Sequence, residues 1–295
     1  MSHKGLQAVK SVAIVANPKS ANIGQMVHEV IDFLKRFRID VLLEKRTSEA
    51  IKVNWHSSHE DIRNKADFVI VLGGDGTVLS AARIVGECEI PILCVHMGNL
   101  GFITVFSQDE LFEALESAMN KRLPTHRRMR LECEIINSEG FLVYKEHALN
   151  EVTLNKGGIA RMIDFDVFAG YERVSSYRAD GFIVSTPTGS TGYSLSAGGP
   201  IVVPSMQLIV LSPICSHSVN SRALIVPSDT VVRIKLTEAR HDIFVSQDGQ
   251  VGRYLHAGEY LVIRKTPFDT LLYYIPPHNF YDRMRDGFGW GTPPC

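Results

Sequence analysis

Short apolar runs and stretches of helical spacing alternate along the first 120 residues of the chain. Continuous apolar runs of strand length occur at 11–17, 39–43, 67–72 and 91–95. Between and after them, apolar residues recur at the spacing of a buried helix face at 22–36 and 110–120. Strands that alternate with helices in this way predict a parallel α/β sheet.

The pattern changes at a basic stretch over residues 121–130 (KRLPTHRRMR). We interpret its HRRMR run, at 126–130, as a solvated linker rather than a nucleic-acid patch, because the net charge of the chain is balanced. From Leu131 onward the chain shows short β-type runs separated by Gly, Pro, Asn and Asp, which is typical of a β-sandwich or a layered β domain. These runs lie at 131–136, 141–144, 151–154, 162–168, 181–185, 207–212, 224–226, 231–236, 242–246 and 260–266. We therefore predict an α/β domain over residues 1–125 and a β-sandwich domain over residues 126–266.

The composition of the chain argues against nucleic acid and membranes as binding partners. The chain has 295 residues, of which 45% are hydrophobic, and its 31 Lys and Arg balance 32 Asp and Glu, so no charge excess favours nucleic acid or an anionic membrane. No apolar run approaches the roughly 20 residues of a membrane span, and the amino terminus lacks the apolar core of a signal peptide. Because the five cysteines are scattered, without metal-type spacing, we expect a reduced cytoplasmic protein with no membrane or nucleic-acid partner.

The run Gly73-Gly74-Asp75-Gly76-Thr77 is the first candidate site, since it joins an apolar strand to a helical stretch. Glycines let the backbone approach an anion, and the helix start directs unpaired N–H groups at it. A carboxylate repels phosphate unless a metal or a reacting hydroxyl lies between them, so Asp75 indicates phosphoryl-transfer chemistry. The alternative is a turn in which Asp75 or Thr77 caps the helix, and the motif alone does not exclude it.

A second candidate site lies at 186–200, where TPTGSTGYSLSAGGP combines hydroxyls, glycines and one tyrosine. Such side chains suit the amide, ribose and phosphate groups of a nucleotide. The alternative is a flexible surface loop, which Pro187, Pro200 and the preceding apolar strand disfavour. Upstream, Asn150 could read an adenine edge and Glu151 could accept from ribose hydroxyls, although spacing alone favours a turn Asn and a solvated Glu.

Several common sites are not indicated. The chain has no Gly-x4-Gly-Lys-Ser/Thr run and no Gly-x-Gly-x-x-Gly run that opens the first domain, which excludes a P-loop kinase and disfavours a dinucleotide-binding dehydrogenase. His56 and His59 have the spacing of one helix face, but no third ligand is evident, so we predict no protein metal site.

Taken together, these residues resemble the NAD kinase family, and the likeness covers nearly the whole chain. GGDGT alone is moderately specific, because lipid kinases and phosphofructokinases carry similar runs, whereas the stretch at 186–200 is highly specific. The matching pieces, in the order of the family, are Asn17-Pro18, GGDGT at 73–77, Gly98-x-Leu100-Gly101-Phe102, Asn150-Glu151, Asp180-Gly181, the stretch at 186–200, SPICSHS at 212–218 and Asp248-Gly249.

The resemblance implies a phosphotransferase with an alcohol group as acceptor, which converts ATP and NAD into ADP and NADP by phosphorylating the 2′-hydroxyl of the adenosine ribose. It implies Mg²⁺ or another divalent metal, and a homodimer or homotetramer. It also implies an α/β plus all-β fold, with a Rossmann-like amino-terminal domain that carries GGDGT, a β-sandwich that binds NAD, and a tail at 267–295 that packs back on the α/β domain.

The resemblance also assigns roles to individual residues. Asp75 would be the general base or orienter of the 2′-oxygen. The other NAD contacts would be Gly76, Phe102, Asn150, Glu151, Arg178, Asp180, Thr191, Gly192, Tyr193, Ser196 and Asp248, and those to the phosphates of ATP would be Gly73, Gly74, Gly76 and Thr77. The chain departs from the family at Gly192, where many members carry alanine, and at His96, where asparagine is frequent.

Two other functions remain open at this point. One is a lipid or sugar kinase of the wider GGDGT class, although lipid kinases usually follow the motif with a Gly-Thr-Gly-Asn type of run that residues 91–102 lack. The other is a catalytically silent NAD(H)-binding regulator, against which the intact Asp75, Asn150 and Glu151 argue.

Overall fold

A computed structural model describes residues 9–98, 101–157, 162–237, 243–275 and 280–289. The chain forms two compact units. The first unit comprises Met1–Arg127 together with Thr270–Cys295, and the second comprises Arg128–Asp269.

Within the described ranges the chain forms sixteen strands and seven α-helices. The strands are β1 (Ser11–Ala16), β2 (Asp40–Leu43), β3 (Phe68–Leu72), β4 (Ile92–Val95), β5 (Thr125–Ile136), β6 (Leu142–Ala148), β7 (Glu151–Lys156), β8 (Ile163–Ala169), β9 (Glu172–Ala179), β10 (Gly181–Ser185), β11 (Leu208–Ile214), β12 (Leu224–Pro227), β13 (Val232–Leu236), β14 (Ile243–Gln247), β15 (Val251–Leu255) and β16 (Tyr260–Tyr273). The helices are α1 (Ile23–Arg36), α2 (Lys45–Ala50), α3 (His59–Lys65), α4 (Asp75–Val85), α5 (Leu111–Met119), α6 (Tyr193–Ser196) and α7 (Phe280–Phe288). No helix in these ranges is long and apolar enough to cross a membrane.

The first unit contains a parallel sheet in the order β2-β1-β3-β4, and the end of β16 pairs with β4 in parallel through Leu272 and Ile92. Alternate residues of β1, such as Val12 and Ile14, lie in one core with the apolar faces of α1 and α5. The apolar runs and helical spacings of the sequence produce this arrangement because β1, β3 and β4 are buried on both faces. Since β2 lies on one side of β1 and β3 on the other, the sheet has a topological switch point between β1 and β3.

The second unit is a β-sandwich. One sheet is antiparallel, in the order β12-β11-β10-β7-β14-β15, and the other has the order β6-β5-β16-β13-β8-β9. Apolar residues of both sheets form one core, which includes Leu154 and Phe182 from the first sheet and Phe165 and Ile263 from the second. The first sheet carries β10 at its centre, paired with β7 and β11, and all five residues of that strand are buried.

The structure corrects the sequence interpretation of this unit at the basic stretch and at two strands. The basic stretch is not a solvated linker, because its second half begins β5, where Met129 and Arg130 are each 1% exposed. The strands β9 and β15 were not predicted; both are edge strands with many exposed residues, so neither shows an apolar run. Arg130 remains buried as a charge because an acidic partner, Asp248, interacts with it electrostatically.

Candidate functional site

The first candidate site lies at the switch point of the parallel sheet, where Asn17 follows the end of β1 and Gly73 follows the end of β3. Ligands of open parallel sheets bind outside the carboxyl ends of the strands at such a point. Helix α4 starts there with Gly74 as its N-cap residue and has no side-chain cap, so neither Asp75 nor Thr77 serves as the cap. Gly73 must lack a side chain, because a Cβ there would lie 2.3 Å from the Thr77 Oγ1.

The Asp75 carboxylate faces a backbone loop rather than its own helix. Its Oδ2 accepts from the Phe102 N–H at 2.9 Å, and its Oδ1 accepts from the N–H groups of Ile103 and Thr104 at 3.1 and 3.2 Å. A Cβ on Gly101 would lie 2.1 Å from Oδ1, so only glycine allows this approach. A carboxylate offers about four acceptor positions, and three are taken, which leaves one for a ligand.

A cavity of about 480 Å³ adjoins the amino end of α4. Gly74, Gly76 and Thr77 line one part of it. Four basic side chains also line it, namely those of Lys45, Arg46, His59 and Arg83. The three permanent cations among them, Lys45, Arg46 and Arg83, outnumber the carboxylate of the lining, Glu44, and lie with the N–H groups of a helix start, so the cavity is a pocket for an anion.

Burial affects the hydrogen bonding of one of these basic groups and the pKa of another. The Nε of Arg83 is buried without a hydrogen-bond partner. Burial lowers the pKa of His59, as do the charges of Arg63 and Arg83, against the opposing influence of Glu44. His59 is therefore a neutral side chain of this cavity at neutral pH, and the permanent positive charge comes from Lys45, Arg46 and Arg83.

The loop after β4 connects Asp75 to the carboxy-terminal helix. The Phe102 ring, whose backbone bonds to Asp75, lies 5.0 Å from the Phe288 ring of α7 between centroids. A Cβ on Gly287 would lie 3.0 Å from the Phe102 Cζ, so α7 packs closely on this ring. Asn99 and Leu100 of the same loop lie outside the described residues.

The second candidate site lies at one edge of the β12-to-β15 sheet. The carboxyl ends of β10 and β14 meet the amino end of β7 there, since Ser185 pairs with Glu151 and Gln247 with Val152. Asp248, which follows β14 with a φ of 53°, holds this edge together.

The hydrogen bonds of Asp248 fix the start of β7. Its carboxylate accepts from the N–H groups of Leu149 at 2.8 Å, Asn150 at 2.7 Å and Glu151 at 3.1 Å. Burial raises the pKa of Asp248, while these three bonds and the charge of Arg130 oppose that shift. The arrangement places the side chains of Asn150 and Glu151 in a defined position at the sheet edge.

The glycine-rich turn after β10 encloses Asn150. The Thr186 N–H donates to the Asn150 carbonyl at 2.8 Å, and the Thr186 hydroxyl donates to the Leu149 carbonyl at 2.6 Å. Gly189 packs on the same peptide, because a Cβ there would lie 2.3 Å from the Asn150 carbonyl oxygen. Gly192 adjoins both side chains, with its Cβ position 3.5 Å from the Asn150 Nδ2 and 3.4 Å from the Glu151 Oε2.

The described residues at this edge include buried polar atoms that have no hydrogen-bond partner. Among them are the Asn150 Oδ1, the Glu151 Oε2 and the Thr188 Oγ1. Burial, together with the negative charge of Asp248, raises the pKa of Glu151 to about 8. Because buried polar groups are almost always paired in native proteins, these atoms indicate a place for a polar ligand.

The structure does not bring all of the remaining predicted NAD contacts to this edge, since Asp180 precedes the amino end of β10, at the opposite end of that strand from Ser185. Thr191 lies in the turn, whereas Tyr193 is 43% exposed and Ser196 is exposed on α6. The Asp180 carboxylate is paired with the Lys156 Nζ at 2.7 Å. Arg178 has an exposed side chain 4.0 Å from the Asp164 carboxylate.

Sequence reasoning missed the cations of the first unit. Lys45 and Arg46 begin α2 directly after the carboxyl end of β2, which is the edge of a parallel sheet where ligands bind, so strand order would have pointed to them. Arg83 lies two helical turns beyond GGDGT on α4 and could have been found from helical spacing. No sequence signal indicates Arg283 of α7, which is 8% exposed and interacts electrostatically with Asp75.

Comparison with known proteins gives a consistent result over both units. Residues 12–123 match the family model of the ATP-NAD kinase N-terminal domain, and residues 149–275 match that of the ATP-NAD kinase C-terminal domain. A curated NAD kinase from Solibacter usitatus is 38% identical and aligns over 96% of this chain and 98% of its own length. One from Geobacter sulfurreducens is 37% identical, over 96% and 99%.

Two solved structures are also similar. The structure described as yeast NADH kinase complexed with NADH has a TM-score of 0.88 and 27% identity, and the match covers 98% of this chain and 90% of that one. The structure described as an NAD kinase from Archaeoglobus fulgidus in complex with ATP has a TM-score of 0.73 and 28% identity, with coverage of 95% and 97%.

Proposed function

The chain belongs to the NAD kinase family and acts as a kinase of NAD, and we propose that it transfers the γ-phosphoryl group of ATP to the 2′-hydroxyl of the adenosine ribose with Asp75 as the group that orients and deprotonates that hydroxyl. The observation that carries this assignment is the hydrogen bonding of Asp75. Three backbone N–H groups hold its carboxylate in place and leave one acceptor position, which suits a single ribose hydroxyl. A preorganised acceptor needs no rearrangement during the reaction.

The phosphates of ATP bind, in this proposal, at the glycine loop of Gly73, Gly74, Gly76 and Thr77. The adjoining cavity supports the assignment, because its cations Lys45, Arg46 and Arg83 lie beside the amino end of α4. N–H groups and guanidinium groups aimed at the transferred phosphoryl group are the usual means of stabilising its charge. The related structure described as an NAD kinase in complex with ATP agrees with ATP as the donor.

The proposed metal is Mg²⁺ or another divalent cation that arrives with ATP. Among the described residues no group of three His, Cys, Asp or Glu side chains could hold a metal ion. Mg²⁺ does not require such a group, because it commonly keeps several of its waters and is held together with the substrate phosphates. When bound, the metal supplies neutralisation of phosphate charge.

The adenine and ribose of NAD are proposed to meet the unpartnered polar atoms of the second unit. The Asn150 Oδ1 would accept from the adenine amine, while Glu151, protonated at neutral pH because its pKa is about 8, would donate to or accept from ribose. Phe102, Thr191, Gly192 and Tyr193 would pack around the adenosine half. Arg178, Asp180, Ser196 and Asp248 complete the proposed set, and Asp248 acts through the backbone of 149–151.

The test is NADP formation from NAD, ATP and Mg²⁺ by the wild-type protein and by Asp75→Asn. We expect turnover to fall by about 10²- to 10⁴-fold in the variant, which is the usual range for loss of a general base. Asp32→Asn, the same chemical change at an exposed site on α1, is the matched control and retains wild-type turnover. Similar rates in all three proteins would contradict the role of Asp75, and NAD binding without NADP formation by the wild type would indicate a silent binder.

We propose a homodimer or homotetramer as the assembly. The edge strand β12 supports it, because Leu224 and Ile225 are 41% and 49% exposed there and an exposed apolar edge is normally covered. Light scattering after size exclusion measures the mass directly, and a monomer at micromolar concentration would contradict the proposal. The cytoplasmic location remains a prediction from the sequence.

A further inference from the structure

The position of the Asp75 carboxylate depends on the loop after β4. Its oxygens accept from the N–H groups of Phe102, Ile103 and Thr104 at 2.9, 3.1 and 3.2 Å. A reacting group that is displaced by about 1 Å loses on the order of 10² in rate. Any contact that fixes residues 102–104 therefore also fixes the proposed general base.

The inner part of this loop is anchored in the first unit. Thr104 is fully buried, and its hydroxyl accepts from the Gly101 N–H at 3.1 Å. The Phe106 N–H donates to the Cys94 carbonyl at 3.0 Å, which ties the loop to β4. Phe102, whose N–H makes the shortest of the three bonds to Asp75, is only half-buried. Its position therefore depends on contacts of its ring as well as on the anchors further along the loop.

The Phe102 ring packs on the carboxy-terminal helix α7 of the same unit. The Phe102 and Phe288 rings lie 5.0 Å apart between centroids, with 31° between their planes, a separation at which aromatic rings attract each other. Gly287 brings the helix backbone against the same ring, because a Cβ there would lie 3.0 Å from the Phe102 Cζ. Met284, which is 4% exposed, precedes these two residues by three and four positions, so its burial holds the face of α7 that they share.

We propose that Phe288 is a positioning residue for the phosphoryl transfer. Its ring fixes the Phe102 ring, and the backbone of Phe102 and its neighbours holds the Asp75 carboxylate in place. The inference rests on the proposed function of Asp75. It predicts a defect in turnover rather than in ATP binding, because other residues line the cavity assigned to the phosphates.

The test is initial-rate kinetics of NADP formation by full-length variants. We expect Phe288→Ala to lower kcat about tenfold, because the inner anchors of the loop remain, and to leave the KM for ATP within about twofold of the wild type. Phe288→Leu fills much of the same volume and should keep kcat within about threefold of the wild type. Tyr281→Ala is the matched control with wild-type kcat, since it removes an exposed ring of α7 that packs on Phe280 rather than on Phe102.

Two further readouts separate positioning from a general loss of structure. In the Asp75→Asn background, Phe288→Ala should change kcat by less than about twofold, because the carboxylate that the loop positions is gone. Hydrogen exchange should be about tenfold faster at the amides of residues 102–104 in Phe288→Ala and unchanged in β3. An equal loss of kcat with aspartate and with asparagine at position 75 would overturn the inference, as would unchanged exchange at 102–104.

Gly287→Ala tests the same contact if Phe288→Ala does not fold. Alanine favours a helix more than glycine does, while its Cβ would displace the Phe102 ring by a few tenths of an ångström. We expect kcat to fall about threefold with no loss of stability, and an unchanged kcat would contradict the proposal. A wild-type protein that forms no NADP would overturn the proposed function, whereas hydrogen exchange would still show whether Phe288 holds residues 102–104.

Discussion

The two units each contain an aspartate that accepts hydrogen bonds from three consecutive backbone N–H groups. Asp75 binds residues 102–104 in the first unit, and Asp248 binds residues 149–151 in the second. The geometry is nearly the same, but the surroundings differ. Asp75 is half-buried beside a cavity, at the start of a helix. Asp248 is in a positive-φ turn where burial raises its pKa.

This difference separates a structural role from a chemical one. The N–H groups and Arg130 partly offset the cost of burying the charge of Asp248, whose hydrogen bonds fix the backbone of residues 149–151. Asp75 keeps one acceptor position that no backbone N–H group occupies, which its proposed role toward the ribose hydroxyl requires. In this proposal, the same arrangement of one carboxylate and three backbone N–H groups is structural at Asp248, where burial raises the pKa of the carboxylate, and catalytic at Asp75, close to the anion pocket.

Asp248→Asn should weaken the hydrogen bonds between residue 248 and the backbone of residues 149–151, and we expect the largest loss of stability from it. Asparagine tolerates the positive φ, so the substitution removes only the charge and one acceptor oxygen, and it opposes an NH₂ group to a backbone N–H. We expect the free energy of unfolding to fall by about 2–4 kcal/mol, as for a lost charge-assisted network. Denaturant unfolding measures it, with Asp229→Asn at an exposed site of the same unit as the control. A loss no greater than that of the control would assign Asp248 no structural role.

Gly101→Ala should disturb the hydrogen bonds between Asp75 and the backbone of residues 102–104 while the Asp75 carboxylate itself is kept. The added Cβ would lie 2.1 Å from the Asp75 Oδ1, so either the carboxylate or the loop must move. A displacement of about 1 Å at a reacting group costs on the order of 10² in rate, and we expect that loss in NADP formation. Gly98→Ala is the matched control, because nothing lies within 4 Å of its Cβ position. Equal rates for the two variants would contradict the need for close approach at Gly101.

Glu151→Gln should change how the stability of the protein depends on pH, which tests the effect of burial and of Asp248 on Glu151. The pKa of Glu151 is raised from 4.5 to about 8 in the folded protein, so the unfolded chain loses its proton first as pH rises. The stability present below pH 4.5 is therefore lost progressively toward pH 8, with a slope on the order of 1 kcal/mol per pH unit. Gln mimics the protonated acid and removes this slope, so we expect the variant to equal the wild type near pH 5 and to exceed it near pH 8.

The measurement is denaturant unfolding of both proteins between about pH 5 and pH 8, with the stability of each plotted against pH. Parallel curves for wild type and variant would show that Glu151 is not protonated in the folded protein at neutral pH. In that case the closeness of Asp248 would have to be compensated by another group.

Gly192→Ala should have the smallest effect. The new Cβ would lie 3.2 Å from the Gly189 carbonyl oxygen and 3.4 Å from the Glu151 Oε2, which is tight but not prohibitive. We expect the KM for NAD to change by less than about fivefold, because a shift of a few tenths of an ångström relieves the contact. Initial-rate kinetics test this, and a loss as large as that of Gly101→Ala would show that the turn is as rigid as the Asp75 loop.

The sequence predicts the elements with strong apolar runs well. The strands β1 and β3 and the central β10 are buried on both faces, so their composition alone reveals them. The two-domain fold class and the family are confirmed by both family models and by the two similar structures. The individual NAD and ATP contacts remain predictions.

What the sequence does not reveal depends on contacts between distant residues. The edge strands β9 and β15 have one partner each and many exposed positions, which weakens their pattern. Arg130 carries a charge that suggests solvent, yet it is buried near Asp248, 118 positions further along. The partners of Asp75 lie 27 to 29 residues away, so only the folded chain shows that its carboxylate is held by a loop.

The long strand β16 has a consequence for synthesis on the ribosome. It adds the fifth strand of the first unit's parallel sheet, where Leu272 pairs with Ile92, and it also supplies a strand to the second unit. During translation β4 is therefore an open sheet edge until nearly the whole chain has been made, and such edges invite pairing with other chains. The unit that begins the polypeptide is thus the one completed last, and a ribosome that stalls before residue 270 releases a fragment with a ready site for aggregation.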